Sequence, residues 1–372
     1  MKPVKVLEVI RQGEIGGGES HVLDLVTGFD KDKVNPIIMA FTDGHMIETL
    51  KQKGFTCYVV ETRKAFDLSI QKKIIDIIKK EEIQLIHAHG SRAASNMLWT
   101  IDKLKLPMIY TVHGWSFHQD QNPFIHYLRA LSEKLICSKS KQVICVSESN
   151  RESGIKSFGL KNNCQVIENG INLAKFNSDR QLVDIRKELG ILQEEFIIGF
   201  VGRITLQKAP YDFIDGVVAA HSINPQIKGL LVGEGDMKGE ITDYIQKNGW
   251  SKCFYQSDFR TDIPEVLHAM DVFCLPSLWE GLSIALLEAM AMKKAIVATP
   301  TDGTREIIKD NENGTIVPYH SPKQLSNALI EYEKHPERII EHGTNALNII
   351  KQRFDSLRVS QAVTCIYQQT LS

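Results

Sequence analysis

Residues 280–290 read EGLSIALLEAM and carry the most specific pattern in the chain. The stretch follows the predicted strand Val272–Leu275 and joins a carboxylate and a glycine to an apolar helical run. Glu280 and Glu288 lie eight residues apart, which is a little over two turns if the helix is continuous. A carboxylate on an apolar helix is costly unless it has a partner. Glu288 therefore indicates either a buried salt bridge or a ligand with hydroxyl groups, such as a ribose.

Glycines at two places predict that main-chain N–H groups approach an anion. Gly281 frees the N–H groups of Leu282 and Ser283 to point at such a ligand. Another loop lies between the first strand and a helix predicted from about residue 20 to 29, and it holds three consecutive glycines: Gly16, Gly17 and Gly18. This loop lacks the G-x-G-x-x-G pattern of nicotinamide-binding domains. Its alternative interpretation is a tight turn in which Ser20 caps the helix.

A pair of cations follows the predicted strand Phe196–Val201, in the segment GRITLQK at residues 202–208. Arg203 stands at the carboxyl end of this buried strand, and Lys208 opens the next helical region. A forked guanidinium and a compact ammonium together suit a diphosphate. The alternative is that both are solvated surface cations.

Short β-branched runs alternate with longer stretches of helical period, which is typical of βαβ units and parallel sheets. The expected strands are residues 4–10, 37–41, 56–60, 85–87, 108–112, 143–146, 166–167, 196–201, 229–232, 272–275, 295–298 and 315–317. A polar segment at 169–184 divides the series. We therefore expect two Rossmann-like, doubly wound α/β domains, 1–175 and 176–354, with a C-terminal helix at 355–372 packed on the first. The cleft between two such domains is the expected site.

The composition excludes several classes of function. Lys and Arg number 44 and Asp and Glu 45, so the chain has no basic excess for nucleic acid. Seven cysteines without a C-x-x-C pair do not form a disulfide framework or a zinc knuckle, and reduced thiols fit a cytoplasmic protein. The first apolar run, Val4–Ile10, contains Lys5 and Glu8, so we expect neither a signal peptide nor a spanning helix. Peripheral membrane attachment stays open.

In this order, Gly202-Arg203…Lys208 and Glu280-x7-Glu288 resemble the retaining glycosyltransferases of family 4, the group 1 glycosyl transferases. The resemblance covers nearly the whole chain and implies the GT-B fold. Further matching segments are Gly16-Gly17-Gly18, Thr111-Val112-His113-Gly114, Val146-Ser147-Glu148-Ser149, Asn169-Gly170-Ile171, Val232-Gly233-Glu234-Gly235 and Gly303-Thr304-Arg305-Glu306. Two positions depart from the family's usual pattern: Ala209 follows Lys208 where glycine is usual, and Asp302 stands before Gly303 where a second glycine is common.

The resemblance implies a role for each matching residue of the second half. Arg203 and Lys208 hold the donor's diphosphate, Glu280 lies against the donor sugar's hydroxyls, and Glu288 bonds the ribose. Main-chain N–H groups after Gly281 touch the phosphates. The remaining donor-binding residues that it implies are Gly202, Leu282, Ser283 and Arg260, the last in a segment whose main chain reads the nucleobase.

In the first half, the resemblance implies that His113 approaches the donor sugar and that the loop at 16–18 closes over the diphosphate. The alternative for His113 is a strand-end histidine satisfied by a backbone carbonyl. His87 and His89 flank Ala88, so we expect only one of them, His89, to face the site, on the acceptor side and without a metal. The aromatic and polar loop at 115–122, with Trp115, is assigned to the acceptor-side wall by its position.

One helical segment has two interpretations. Residues 124–141 combine apolar positions at helical spacing with basic residues: Phe124, Ile125, Leu128, Leu131, Leu135 and Ile136 with Arg129, Lys134, Lys139 and Lys141. A membrane-surface helix is conceivable. The position directly before a strand favours a helix packed on the core. The first half of the chain carries 23 cations against 19 anions and the second 21 against 26, which tilts any contact with an anionic membrane toward the first half.

The hypothesis is a retaining, metal-independent transfer of a hexose or N-acetylhexosamine from a nucleotide diphosphate sugar to a glycan or lipid-linked acceptor in surface polysaccharide biosynthesis. The resemblance favours UDP over GDP. No cofactor and no metal are expected, because Arg203, Lys208 and main-chain N–H groups supply the positive charge. The alternatives are a nucleotide-sugar epimerase of the same architecture and a catalytically silent partner subunit. The expected location is the cytoplasm or the cytoplasmic face of a membrane.

Overall fold

The computed structural model describes residues 2–14, 16–117, 122–161 and 163–372. It forms two compact units, of which the first comprises Met1–Gly170 and Ser356–Ser372 and the second Ile171–Asp355. Each unit is built on one parallel sheet. This confirms the prediction of two Rossmann-like α/β domains.

The first sheet has seven strands in the order β3-β2-β1-β4-β5-β6-β7. Their bounds are β1 Val4–Ile10, β2 Val34–Ala40, β3 Thr56–Val59, β4 Leu85–His89, β5 Met108–Val112, β6 Gln142–Cys145 and β7 Cys164–Val166. The first unit's helices are α1 Gly17–Thr27, α2 His45–Gln52, α3 Gln71–Glu81, α4 Ser91–Leu104, α5 Pro123–Lys139, α6 Glu148–Phe158 and, from the end of the chain, α15 Ser356–Leu371. Successive residues of one strand enter two separate cores, because side chains alternate between the faces of a sheet.

The second sheet has six strands in the order β10-β9-β8-β11-β12-β13. They are β8 Phe196–Val201, β9 Ile227–Val232, β10 Phe254–Ser257, β11 Val272–Leu275, β12 Ala295–Ala298 and β13 Thr315–Ile316. The helices are α7 Ile185–Leu189, α8 Pro210–Ile223, α9 Lys238–Lys247, α10 Ile263–His268, α11 Ile284–Ala291, α12 Asp302–Ile307, α13 Pro322–Lys334 and α14 Pro336–Arg353, with 3₁₀ turns at Leu206–Lys208 and Ser251–Cys253. The strand order reverses between β8 and β11, and in the first sheet between β1 and β4; such switch points are where α/β sheets bind ligands.

Several strands differ from their predicted bounds. β2 begins at Val34 instead of residue 37, although Pro36 within it has no N–H to donate. β4 continues to His89 instead of ending at 87, because the buried polar side chains at its end find partners. β10 was not predicted, since its sequence FYQS is short and half polar.

α5 packs on the core, but through a different stripe from the one that the prediction used. Of the six apolar residues that the prediction used, only Ile136 is buried, whereas Phe124, Ile125, Leu128, Leu131 and Leu135 are between 45 and 68% exposed. The buried stripe instead includes Glu133, which accepts hydrogen bonds from the Tyr110 hydroxyl (2.9 Å) and the Ser91 hydroxyl (2.5 Å). A carboxylate with its own hydrogen-bond donors therefore lies on the buried face of α5, where the apolar pattern predicted leucine side chains.

In the part of the chain that the structure describes, no helix combines the length and the apolar character needed to cross a bilayer.

Candidate active site

Glycines bring two loops of the second unit into contact at the carboxyl end of its sheet. Gly202 follows β8 with φ of +152°, and its N–H donates to the Val232 carbonyl (3.1 Å). A Cβ on Gly233 would lie 1.9 Å from the Gly202 carbonyl oxygen, and one on Gly235 would lie 2.2 Å from that of Ile204. Only glycine allows this approach. The sequence GEG after β9 therefore lets its backbone pack directly against the loop that carries Arg203.

The structure joins two of the predicted catalytic residues in an ion pair at the switch point. Lys208 Nζ lies 2.5 Å from Glu280 Oε1, and the two side chains are 12 and 10% exposed. Gln207 reinforces the contact, since its Nε2 donates to the Trp279 carbonyl (2.8 Å). Arg203, the other predicted cation, is exposed to solvent on the same loop.

Ala209 has the left-handed conformation, with φ of +46°. It ends the 3₁₀ turn and directly precedes α8. An L side chain is strained in this region, which explains why glycine is usual here in the family that the motif resembles. Ala209 thus adopts the left-handed conformation that glycine takes without strain.

The loop before α11 contains buried polar groups suited to an anion. A Cβ on Gly303 would meet the Gly281 carbonyl oxygen at 1.7 Å, so the loops at Gly281 and Gly303 are in contact. Ser283 is the N-cap residue of α11 but makes no side-chain cap bond. Within the described residues, the buried hydroxyls of Ser277 and Ser283 have no hydrogen-bond partner. Together with the helix N-terminus, they offer donors to a phosphate.

The two glutamates of the motif lie on different elements. α11 begins at Ile284, so Glu280 belongs to the preceding loop and the spacing of a little over two helical turns does not apply. Glu288 is on α11 and buried, and Leu282 is buried before it.

Arg260 is engaged in ion pairs. Its Nη1 lies 2.6 Å from Glu188 Oε1, and its Nη2 lies 2.6 Å from Asp262 Oδ2. Hydrogen bonds to these carboxylates raise the pKa of the guanidinium. The structure thus gives this side chain a fixed place within the second unit, and the reading of a nucleobase by the main chain of this segment stays a prediction.

The glycine loop of the first unit leads directly into α1. The helix begins at Gly17, and Gly16 is its N-cap, with the Ser20 N–H donating to the Gly16 carbonyl (2.8 Å). Ser20 is therefore inside the helix, and the alternative in which it caps α1 is wrong. A Cβ on Gly18 would lie 3.6 Å from Cδ2 of His113, so Gly18 lies against the imidazole ring.

A fully buried carboxylate, Glu8 on β1, holds the polar residues at the end of β4. Its Oε2 lies 2.9 Å from His89 Nε2 and 3.2 Å from His87 Nδ1, and its Oε1 accepts from the Tyr367 hydroxyl (2.6 Å). His87 Nε2 lies 2.7 Å from the Thr111 hydroxyl. Both histidines therefore face the same side of the sheet, as residues two apart in a strand do. The expectation that only one of them faces the site was wrong.

His113, which follows β5, completes this cluster. Its Nε2 lies 3.3 Å from His89 Nδ1, and its ring centroid lies 4.9 Å from that of His21 on α1. The alternative in which a backbone carbonyl satisfies His113 is thus replaced by a side-chain partner. His21, Glu8 and Tyr367 were not identified from the sequence; the signal for Glu8 was a charged residue inside an apolar strand.

Burial keeps three imidazoles of the cluster neutral, those of His21, His89 and His113. Burial lowers the pKa of His21 to about 3 and that of His89 to about 4. Burial, followed by the neighbouring His21 and His89, lowers the pKa of His113 well below its usual value. Burial acts to raise the pKa of Glu8, but the hydrogen-bonded His87 and His89 outweigh it and keep the carboxyl ionised.

Two overlapping groups in this cluster could also ligate a metal ion: His21, His89 and His113, and Glu8, His87 and His89. Their ligand atoms lie within 4.8 Å of one another in each group. Three neutral imidazoles suit zinc or another transition metal. In the structure, however, both nitrogens of His89 have hydrogen-bond partners in Glu8 and His113.

Trp115 is held by packing. Its Nε1 donates to the Asn150 carbonyl (2.7 Å), its ring stacks on Phe117, and a Cβ on Gly154 would meet it at 2.6 Å. Residues 118–121 of the predicted acceptor-side loop lie outside the described residues. The acceptor-side assignment stays a prediction.

Two known families match the chain. Residues 183–346 match the family described as Glycosyl transferases group 1, and residues 15–175 match Glycosyltransferase Family 4.

Individual relatives agree with these matches. An Escherichia coli UDP-Gal:alpha-D-GlcNAc-diphosphoundecaprenol alpha-1,3-galactosyltransferase is 26% identical over 71% of this chain and 70% of its own length. The alpha-maltose-1-phosphate synthase of Mycolicibacterium smegmatis is 27% identical over 95% of both chains. The structure of Anabaena HepE, solved with UDP and glucose, matches with a TM-score of 0.87 over 98% of this chain and 99% of that one, at 22% identity. The matched structure shares the fold of this chain.

Proposed function

Because the chain belongs to the family 4 glycosyltransferases, of the group 1 type and with the GT-B fold, we propose that it transfers a hexose or N-acetylhexosamine from a UDP-sugar to a glycan or lipid-linked acceptor in surface polysaccharide biosynthesis. The buried Lys208–Glu280 pair carries the proposal. An ammonium and a carboxylate at a sheet's switch point can bind a phosphate and a sugar hydroxyl side by side.

The charge on the leaving group is the chemical problem that the site must solve. When the bond to the sugar breaks, the diphosphate gains negative charge. Arg203, Lys208 and the N–H groups at the start of α11 would stabilise that charge. The unpartnered hydroxyls of Ser277 and Ser283 support phosphate binding at the same loop. We therefore propose a reaction that needs no divalent metal.

We further propose that the anomeric configuration is retained. Glu280, the carboxylate of this site, is held by Lys208, which suits binding of a sugar hydroxyl better than nucleophilic attack. The leaving phosphate would then take the proton of the acceptor hydroxyl. The configuration of the product, read by NMR from the anomeric coupling constant, tests this part.

Calorimetric titration of UDP and GDP in the presence of EDTA tests the proposal. We expect saturable binding of UDP by the wild type and a loss of affinity of about 10- to 150-fold in Arg203→Ala, the range for one hydrogen bond to a charged group. Lys247→Ala is the matched control, because Lys247 is an exposed cation of the same unit whose ion-pair partner, Asp243, lies on its own helix. If the folded wild type binds neither nucleotide, the partner-subunit interpretation replaces this one.

For a lipid-linked acceptor, we propose that the outer face of α5 contacts an anionic membrane. This face combines the exposed side chains of Phe124, Leu128, Leu131 and Leu135 with cations on the same helix. Such a combination suits the interface of a bilayer with negatively charged headgroups. Co-sedimentation with vesicles containing phosphatidylglycerol should fall in Leu131→Glu and not in Ile223→Glu, which changes an apolar residue of the second unit that is at least as exposed (65% against 50%). Equal loss in both variants would contradict the assignment to α5.

A further inference from the structure

A chain of hydrogen bonds leads from the buried Glu8 to His113. Glu8 Oε2 lies 2.9 Å from His89 Nε2, and His89 Nδ1 lies 3.3 Å from His113 Nε2. Glu8 and His89 are almost completely buried, so neither meets water in place of these partners. The proposed function does not use Glu8, and the family resemblance places only the later members of this chain at the site.

The partners determine where each proton lies. An ionised carboxylate only accepts hydrogen bonds, so His89 must carry its proton on Nε2. A neutral imidazole has one N–H, which leaves His89 Nδ1 as an acceptor. The neighbouring His113 Nε2 must then be the donor, and Nδ1 of His113 carries the lone pair. The pKa directions agree, since Glu8 is held ionised and His89 and His113 neutral.

Other contacts keep Glu8 in place without entering this chain. Tyr367 donates to Oε1, the other oxygen of the carboxylate. His87 lies beside the Tyr367 hydroxyl (2.6 Å) and the Thr111 hydroxyl (2.7 Å). With donors on both oxygens, the carboxylate cannot rotate away from His89 without losing a bond.

We infer that Glu8 is a positioning residue that acts through His89 to hold His113 as the Nε2–H tautomer, so that Nδ1 of His113 accepts a hydrogen bond from a hydroxyl of the donor sugar. The inference rests on the proposed function and on the role that the family resemblance implies for His113, which is contact with the donor sugar. The ring of His113 lies beside the start of α1, since a Cβ added at Gly18 would be 3.6 Å from its Cδ2, which is ordinary van der Waals contact. A wrong tautomer would present an N–H where an acceptor is needed.

Glu8→Gln keeps the shape of the chain and reverses it when the amide NH2 faces His89. The glutamine amide can donate to His89 Nε2, which makes His89 the Nδ1–H tautomer. His89 then donates to His113 Nε2, and the proton of His113 moves to Nδ1. Tyr367→Phe is the matched control: it removes a buried donor to the same carboxylate but leaves the Glu8, His89 and His113 protons as they are.

Two measurements on the full-length protein test the inference. Long-range ¹H–¹⁵N correlation spectra of histidine-labelled protein report which ring nitrogen carries the proton, and we expect the His113 pattern to invert in Glu8→Gln and to persist in Tyr367→Phe. Release of UDP from UDP-glucose, UDP-galactose or UDP-N-acetylglucosamine, with the donor that the wild type hydrolyses fastest, reports the reaction. We expect kcat to fall about 10²- to 10³-fold in Glu8→Gln, the range for one misdirected hydrogen bond at a reacting group. The Kd for UDP, which has no sugar, should stay within about twofold of wild type.

The outcomes separate this inference from the proposed function. If the wild type neither binds UDP nor releases it, the proposed function fails, whereas the spectra still decide the tautomer. If the wild type is active and only one of the two, the His113 tautomer or kcat, changes in Glu8→Gln, the inference is overturned. Equal loss of kcat in Glu8→Gln and Tyr367→Phe overturns it as well, since Glu8 would then be only structural. A wild-type His113 that gains its Nε2 proton only after a chelator is added would assign a metal to the cluster and overturn it too.

Discussion

The two partners of the Lys208–Glu280 ion pair should affect nucleotide binding in opposite directions. Lys208 Nζ and Glu280 Oε1 are 2.5 Å apart, and both side chains are about nine-tenths buried. If the pair binds the donor, the ammonium attracts the diphosphate and the carboxylate repels it. Lys208→Met should therefore weaken UDP binding, and Glu280→Gln should strengthen it while impairing sugar transfer.

The expected magnitudes follow from the charges. Lys208→Met removes one hydrogen bond to a charged group, about 1.5–3 kcal/mol, so the Kd for UDP should rise about 10- to 150-fold. Glu280→Gln removes a negative charge near the phosphates. At about 6 Å and an effective dielectric constant of about 20, this charge costs about 3 kcal/mol before screening. With salt present, we expect about 1 kcal/mol, which is about fivefold tighter binding.

Isothermal titration calorimetry with UDP at about 0.15 M salt measures both effects. Each single variant leaves a buried charge without its partner, a loss of about 3–5 kcal/mol, so both should melt at lower temperature than wild type. Lost stability alone can only weaken binding and cannot explain tighter binding by Glu280→Gln. The double variant should regain stability and bind UDP more weakly than wild type but about fivefold more tightly than Lys208→Met, because it also lacks the repelling carboxylate. Weaker binding in both single variants, or unchanged binding in both, would refute the assignment.

Three further perturbations test individual features of the second unit. Ala209→Gly should raise the free energy of unfolding by about 0.5–1 kcal/mol, because it relieves a left-handed alanine, and denaturation by urea measures it; a loss of stability would contradict the strain. Gly233→Ala should lower the melting temperature by at least about 4 °C, because its Cβ would lie 1.9 Å from the Gly202 carbonyl; a wild-type melting temperature would show that the loops do not need this approach. Burial lowers the pKa of Lys294, which donates to the Met270 carbonyl, to about 8. Between pH 8 and 10 the unfolded lysine keeps a proton that the folded one releases, so wild type should gain about 2–3 kcal/mol over Lys294→Met as pH rises from 7 to 10, and a constant difference would refute the shift.

The sequence predicted the architecture because strands buried on both faces are recognisable locally. β1, β5, β8, β11 and β12 have their predicted bounds, and each is a short apolar run between turn residues. The predicted buried stripe of α5 was wrong because apolar periodicity was treated as evidence of burial. Glu133 lies on the buried face with donors in place, and the leucines lie outside. Periodicity identifies the helix but not which stripe faces the core.

The sites were predictable to different degrees in the two units. In the second unit, Lys208 and Glu280 belong to two short motifs that follow β8 and β11, and these strands are neighbours at the switch point. Motif order and parallel-sheet topology were enough to bring them together. The ion pairs of Arg260 were not predictable, because Glu188 is 72 residues away in sequence and belongs to no motif.

In the first unit the cluster is assembled from distant residues, and spacing contains no information about it. Glu8 and Tyr367 are 359 residues apart, and His89 comes from a third element. One physical signal was nevertheless present. An ionised carboxylate that is fully buried costs several kcal/mol unless donors surround it, so Glu8 inside the apolar strand β1 required polar side chains on the neighbouring strand β4. The register that places Glu8 opposite His87 and Ile10 opposite His89 supplies them. A lone charge in an apolar central strand therefore predicts a polar cluster at that level of the sheet, even where no motif marks its members.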